Sequence, residues 1–205
     1  MENYLKINGQ KIELTEEQIA RIKDSFGIAA TKLSGIPVGE TVKIGGHEMI
    51  VLEQKGDTTA LIRKDILPKK MAFGSTNNYI GSNVQKACEA FADELAAAIG
   101  AENIVLHDVD LTADDGLDDF GTAAGCRASL ITANMYRHFV RLLDKFKPKE
   151  WWWTATPFSI PPHDDDNWVK CVSPSGCIYY GDSFNCDFNG VRPFCILKSH
   201  IFVSE

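Results

Sequence analysis

The 205-residue chain lacks several features, and each absence narrows what it can do. Positive charge is not in excess. Its 21 Lys and Arg stand against 28 Asp and Glu, giving a net charge of −7. Nonspecific binding to nucleic acid or to an anionic membrane relies on basic surface, so neither is expected. No apolar run approaches the roughly 20 residues of a spanning helix, so no membrane insertion is expected. The first residues, MENYLKINGQKIEL, lack a basic stretch followed by an apolar one. The expectation is cytoplasmic synthesis without a signal peptide, with a virion as a later destination. CxxC pairs are missing as well. Cys88, Cys126, Cys171, Cys177, Cys186 and Cys195 are scattered. Without a secretory leader they are expected to be free thiols packed as small hydrophobes, not disulfides or zinc ligands. No cofactor is expected, and neither internal repeats nor heptads occur.

What is present reads as an α+β chain. Residues 4–7 and 10–14 form a hairpin around Asn8-Gly9, a type I′ turn signal. Thr15 and Gln18 have capping-box spacing, so a helix starts there. Ile19, Ile22 and Phe26 make its apolar face, and Gly27 suits its C-terminal end. A hairpin and one helix bury too little to stand alone, so residues 1–27 suggest a scaffold or self-association module. Residues 28–39 read as a linker. Two domains follow from this, 1–35 and 36–205. Residues 41–53 and 58–66 predict two strands joined at Gly56-Asp57. Ser82 and Gln85 form a second capping box before a helix with Val84, Ala87, Cys88, Phe91, Leu95 and Ile99 inward, ended by Gly100. Residues 104–107 predict a short strand, 111–124 a loop, and 132–146 a helix with Tyr136, Phe139, Val140 and Leu143 inward. Short strands are expected at 151–154, 168–172, 177–180, 191–197 and 201–203, punctuated by glycines. In the first, alternation sends Trp151 and Trp153 to one face and Trp152 to the other, so the trio can serve two layers.

Four motifs in order carry a family resemblance. GETVKIGGHEMIVL (39–52) resembles a paired-strand opening, YIGS (79–82) a Tyr-x-x-Ser before a helix, WWTATP (152–157) a Trp-Trp strand, and GVRP (190–193) a closing motif. Together they resemble a bacterial and phage domain family of unknown function. Met49 departs from the pattern, where an aromatic is usual. The family is similar to the C-type-lectin-like fold of formylglycine-generating enzymes and of the variable proteins of diversity-generating retroelements. The resemblance implies a C-type-lectin-like fold with short mixed or antiparallel strands and two main helices, preceded by the hairpin and helix. It implies a C-terminal ligand-binding face in which Gly-Val-Arg-Pro belongs to the frame. Fold alone does not fix function.

One pattern bears on the variable-protein reading. Such diversification mutates template adenines, and asparagine-like codons ending in a pyrimidine cannot become Lys, Glu, Gln, Met or Trp. Between 154 and 197 only Trp168 and Lys170 are of those types. Strands and turns are also poor in Lys and Glu, which accounts for part of the pattern.

The expected binding residues lie in the same region. Tyr179, Tyr180, Phe184 and Phe188 alternate with Asp182, Ser183, Asn185, Asp187 and Asn189, and aromatics among small polar residues are paratope chemistry. Alternation sends Tyr179 and Tyr180 to opposite faces, so one of them is expected to be exposed. Phe158 and the loop His163, Asp164, Asp165, Asp166 and Asn167 complete the set. That loop fits no EF-hand spacing and lacks the Trp-Asn-Asp order of lectin calcium sites, so it reads as a solvated loop. The acidic run Asp108, Asp110, Asp114, Asp115, Asp118 and Asp119 reads as solvated too. The expected function is therefore ligand binding without catalysis, to an unknown protein or surface ligand through residues 158–189. The rivals are an oxidase of the formylglycine-generating type, using Cys186 and Cys195, and a structural phage component.

Overall fold

A computed structural model describes residues 4–7, 10–15, 17–18, 30–161, 163 and 167–204. Strands β1 (Tyr4–Ile7) and β2 (Gln10–Glu13) pair antiparallel, as the hairpin reading requires. The turn Asn8-Gly9 lies outside the described residues, as do Ile19, Ile22, Phe26 and Gly27. The capping box is present in both directions: the Thr15 N–H donates to Gln18 Oε1, and the Gln18 N–H to Thr15 Oγ1.

The frame is a mostly antiparallel sheet. Its strands are β3 (Ala30–Lys32), β4 (Thr41–Ile44), β5 (His47–Lys55), β6 (Thr58–Arg63), β7 (Ile104–Val105), β10 (Ala128–Ser129), β14 (Phe194–Lys198) and β15 (Phe202–Ser204). They lie in the order β10-β14-β6-β5-β4-β15-β3, with β7 also on β14. β8 (His107–Asp110) and β9 (Thr122–Cys126) form a separate ribbon, and β11 (Trp152–Pro157), β12 (Trp168–Val172) and β13 (Ile178–Asp182) a small sheet. The architecture is α+β.

Three expectations are corrected. Residues 41–53 are not one strand: Gly45 and Gly46, both at positive φ, turn the chain between β4 and β5. The stretch read as a linker enters the sheet, because β3 pairs with β15, and Leu33 after it is fully buried. β3 thus lies on the N-terminal side of the boundary expected at residue 35. Residues 122–124 belong to β9, where pairing with β8 overrides their loop-like composition.

Alternation along the sheet divides the core into two layers. Met49, Val51, Leu61, Cys195 and Leu197 face helix α1 (Asn83–Ile99), where Val84, Cys88, Phe91 and Leu95 meet them. Ile50, Leu52, Ile62 and Phe194 face α2 (Ala133–Leu143), where Tyr136 and Leu143 are buried and Phe139 and Val140 half-buried. Each fully buried large apolar side chain contributes about 1.5–3 kcal/mol. Ser82 and Thr132 cap the two helices by accepting from the N–H groups of Gln85 and Met135. Trp151 and Trp153 join the first layer and Trp152 the second. The three consecutive tryptophans pack both layers, as alternation predicts.

Candidate functional site

The small sheet carries two loops, residues 159–167 and 183–189, and each is tied at its base. The first leaves β11 where the Phe158 N–H meets the Trp168 carbonyl at 2.9 Å. Asn77, fully buried, donates through Nδ2 to the carbonyls of Ser159 and Trp168, at 2.7 and 3.2 Å. The second loop begins at Asp182. One carboxylate oxygen accepts the N–H groups of Phe184 and Asn185, and the other accepts Asn185 Nδ2. Burial works to raise the Asp182 pKa, but these hydrogen bonds outweigh it and hold the carboxyl below its ordinary value. The loop ends at Gly190, whose N–H and C=O pair with the Trp151 carbonyl and the Trp153 N–H at 2.7 and 3.0 Å. The two loops are joined where the Ser183 N–H donates to the Asn167 carbonyl at 2.7 Å.

Between the loops lies an aromatic cluster. The Tyr180 ring is 4.7 Å from that of Phe158 and 5.5 Å from that of Trp168, edge-on to the latter. Beneath them, across the strand pair from Tyr180, Lys170 is buried. Its Nζ lies 5.0 Å from the Phe158 ring centre and 2.9 Å from Asp114 Oδ2, while Asp114 Oδ1 is 3.1 Å from Arg137. Burial tends to raise the Asp114 pKa, but the two cations outweigh it and lower it. Asp115 accepts from Ser159 Oγ and lies 3.2 Å from His163 Nδ1. Hydrogen bonding from Ser159, more than any other cause, lowers its pKa.

The six residues of the acidic run are all exposed, as the solvated reading expects, but four of them also have fixed partners. Asp114 holds Lys170 beneath the aromatic cluster, Asp115 holds Ser159 and His163, Asp110 accepts from Thr112, and Asp108 accepts the Gly125 N–H. Charge pairing and turn-capping, which composition does not show, gave these side chains fixed partners.

The expected binding residues do not all face outward together. Phe158 and Tyr180 meet. Phe184, Asn185, Asp187 and Phe188 are exposed on the second loop, and His163 is exposed on the first. Asn167 and Asp182 are half-buried, and Asp182 is occupied in shaping its loop. Asp164, Asp165 and Asp166 lie outside the described residues. Ser183 and Asn189 are buried and are not surface contacts. Their main chains hold the loop against residues 71–74: the Met71 N–H donates to the Asn189 carbonyl and the Gly74 N–H to that of Ser183. Tyr179 and Tyr180 occupy opposite faces, yet both are exposed, at 51% and 53%. Among the described residues, β13 is an edge strand with no neighbour beyond it, so both faces open at its margin. Tyr179 packs edge-on against Trp151, away from the Phe158 cluster.

Sequence reasoning missed Asn77, Asp114 and Lys170. A lysine alternating with Val169 and Cys171 in an apolar strand was the available sign of a buried cation.

The cysteine pair behaves as packing. Cys195 is fully buried in β14, and burial alone pushes its thiol up to about 12. Burial also raises the half-buried Cys186 thiol. Among the described residues, no three His, Cys, Asp or Glu side chains converge as a metal-binding group. No helix of the described residues is long and apolar enough to cross a membrane. No protein-family model, curated protein or solved structure matches the chain.

Proposed function

We propose that this is a ligand-binding protein that presents residues 158–189 to a protein or surface ligand. In its finer form, the reading is a variable protein of a diversity-generating retroelement on a C-type-lectin-like frame, of a bacterium or its phage. Residues 1–27 would serve for attachment, in a virion or another assembly.

One observation carries this reading. Trp168 and Lys170 are the two residues between 154 and 197 that adenine-directed diversification of asparagine-like codons cannot produce. Both are built into the scaffold: Lys170 is buried against Asp114, and Trp168 is half-buried edge-on to Tyr180. The exposed positions of the second loop, Phe184, Asn185, Asp187 and Phe188, are all of types that such codons encode. Further support comes from the two anchored loops and from the burial of Arg192, of the Gly-Val-Arg-Pro motif, in the frame. The side-by-side placement of β3 and β15, at the start and end of the frame, also suits a lectin-like domain. Affinity would come from Phe158, Tyr180, Phe184 and Phe188 as rigid contact area, with Asn185 and Asp187 as adaptable hydrogen-bonding groups.

The gene and the protein each give a test. The gene should lie near an imperfect repeat of the 154–197 coding region that differs at adenines, beside a reverse transcriptase. Exchanging residues 158–189 for those of a sister sequence should leave the melting temperature nearly unchanged and redirect binding. An unchanged interaction profile after the exchange would sink the reading.

A further inference from the structure

The two helices cover the sheet unequally. α1, with 17 residues, runs about 25 Å, whereas α2, with 11, runs about 16 Å. Among the described residues, a strip of sheet on the α2 side stays uncovered beyond the helix. Glu53, Ala60 and Ile196 stand in one row across β5, β6 and β14, each directly opposite the next. The row is the floor of a cleft of about 450 Å³, with Met135, His138 and Phe139 of α2 on one side and residues 107–109 of β8 on the other. That volume falls in the roughly 300–1,000 Å³ range of small-molecule sites.

The cleft has a built polar corner. His107 Nε2 lies 2.8 Å from the Oγ of Ser129, which is almost fully buried, and the imidazole packs edge-on to Phe194 at 5.1 Å. Burial lowers the His107 pKa, which favours the neutral ring. The charged groups of the lining are Glu53 and Asp108, both exposed; no Lys or Arg contributes. Glu53 takes part in no ion pair among the described residues. A carboxylate ligand would meet two like charges and no cation, at a cost in affinity. An ammonium would meet Glu53 and the negative charge of Asp108, one of whose carboxylate oxygens accepts the Gly125 N–H, and an apolar body would cover Ala60, Ile196 and Phe139.

We propose that this cleft binds a small amphiphilic amine, its aromatic or branched body on the Ala60–Ile196 floor and its protonated nitrogen at Glu53, with the Asp108 charge adding to the attraction. The site shares no lining residue with the face of residues 158–189 and does not depend on that face binding anything.

Tryptamine and indole-3-acetate carry the same ring with opposite charge, so together they test body and head separately. Each is titrated into the full chain and followed by amide chemical shifts. Tryptamine should give saturable shifts at Ala60, His107, Phe139 and Ile196, and should bind at least about tenfold more tightly than indole-3-acetate, or about 1.4 kcal/mol. Glu53→Gln, at an exposed position, should weaken tryptamine by several-fold with an unchanged melting temperature. Ala60→Leu should fill the floor and abolish the shifts. Absence of shifts in the cleft at millimolar tryptamine overturns the proposal. So does equal binding of the two probes, or full tryptamine affinity in Glu53→Gln. Should Ala60→Leu not fold, the Glu53→Gln comparison decides by itself.

Discussion

The guanidinium of Arg192 lies 5.2 Å from the centre of the Trp152 ring and donates to three main-chain carbonyls. Nε reaches Arg63, and Nη2 reaches Lys64 and Phe146, at 2.9 to 3.0 Å. One buried side chain thus joins the segment after β6, the segment after α2 and the approach to β14. Burial lowers its pKa to about 10, so it stays charged at neutral pH. Lysine has no planar fork to reach all three acceptors. Arg192→Lys should therefore lower the unfolding free energy by about 3 kcal/mol, read by urea denaturation. A loss under about 1 kcal/mol would show that the three bonds are not structural.

Gly190 is needed for room. A Cβ there would stand 2.6 Å from Ile66 Cδ1 and 2.7 Å from Ile66 Cβ, at the root of a branched side chain. Gly190→Ala should cost about 1–3 kcal/mol. Ile66→Gly, which takes away the Cβ itself, should cost less in the Gly190→Ala background than alone, because it removes the clash. Strict additivity of the two changes would refute this explanation.

The Lys170–Asp114–Arg137 group predicts a pH dependence. The Asp114 pKa is depressed in the fold, so its contribution is present above the ordinary value of 3.8 and is lost as pH falls through the folded value. The melting-temperature gap between the parent and Asp114→Asn should be constant near neutrality and narrow below about pH 4. A gap that does not change down to pH 2 would mean the pairs contribute nothing to stability.

Thiol reactivity should follow burial. Cys177 is exposed, whereas Cys88, Cys126, Cys171 and Cys195 are buried, and burial pushes the Cys171 thiol up to about 12. Iodoacetamide at pH 8 should modify Cys177 first, and the four buried cysteines only after unfolding. Peptide mass spectrometry reads the order, and early labelling of Cys195 would restore it as a redox candidate.

The two neighbouring tyrosines should separate in binding. Tyr180→Ala removes the centre of the Phe158–Trp168 cluster and should weaken a ligand of this face at least tenfold. Tyr179→Ala, on the opposite face against Trp151, should weaken it by less than threefold. Equal losses would mean that the ligand wraps the edge of β13.

How much of this was legible in the sequence depended on range. The helices around Ser82 and Thr132 were readable because caps and 3.6-residue periodicity are local. The tryptophan trio was readable because strand alternation needs no partner. The turn at Gly45-Gly46 was implied by the paired-strand opening of the family resemblance but not by the pattern of residues 41–53, where apolar residues on both sides blend into one run. β3 was missed because Ala30–Lys32 becomes a strand only when β15, some 170 positions later, comes alongside. In the site, residues 181–189 were legible as a loop from Gly181 and Gly190, and the stretch after Phe158 from its proline pair and acidic residues. Their supports were not: Asn77 acts on carbonyls 82 and 91 residues away. The burial of Ser183 and Asn189 likewise depends on the distant segment 71–74.

The clamp on the second loop has a consequence for heredity. Asp182 fixes the loop's entry through its own carboxylate, and Gly190 fixes its exit through main-chain pairing with Trp151 and Trp153. Asn185 takes part through its Nδ2, but neither fixture uses the side chains of Phe184, Asp187 or Phe188. Changes at those three positions are therefore insulated from folding. A lineage could rewrite them repeatedly without drawing down stability, and a library randomised there should consist mostly of folded members.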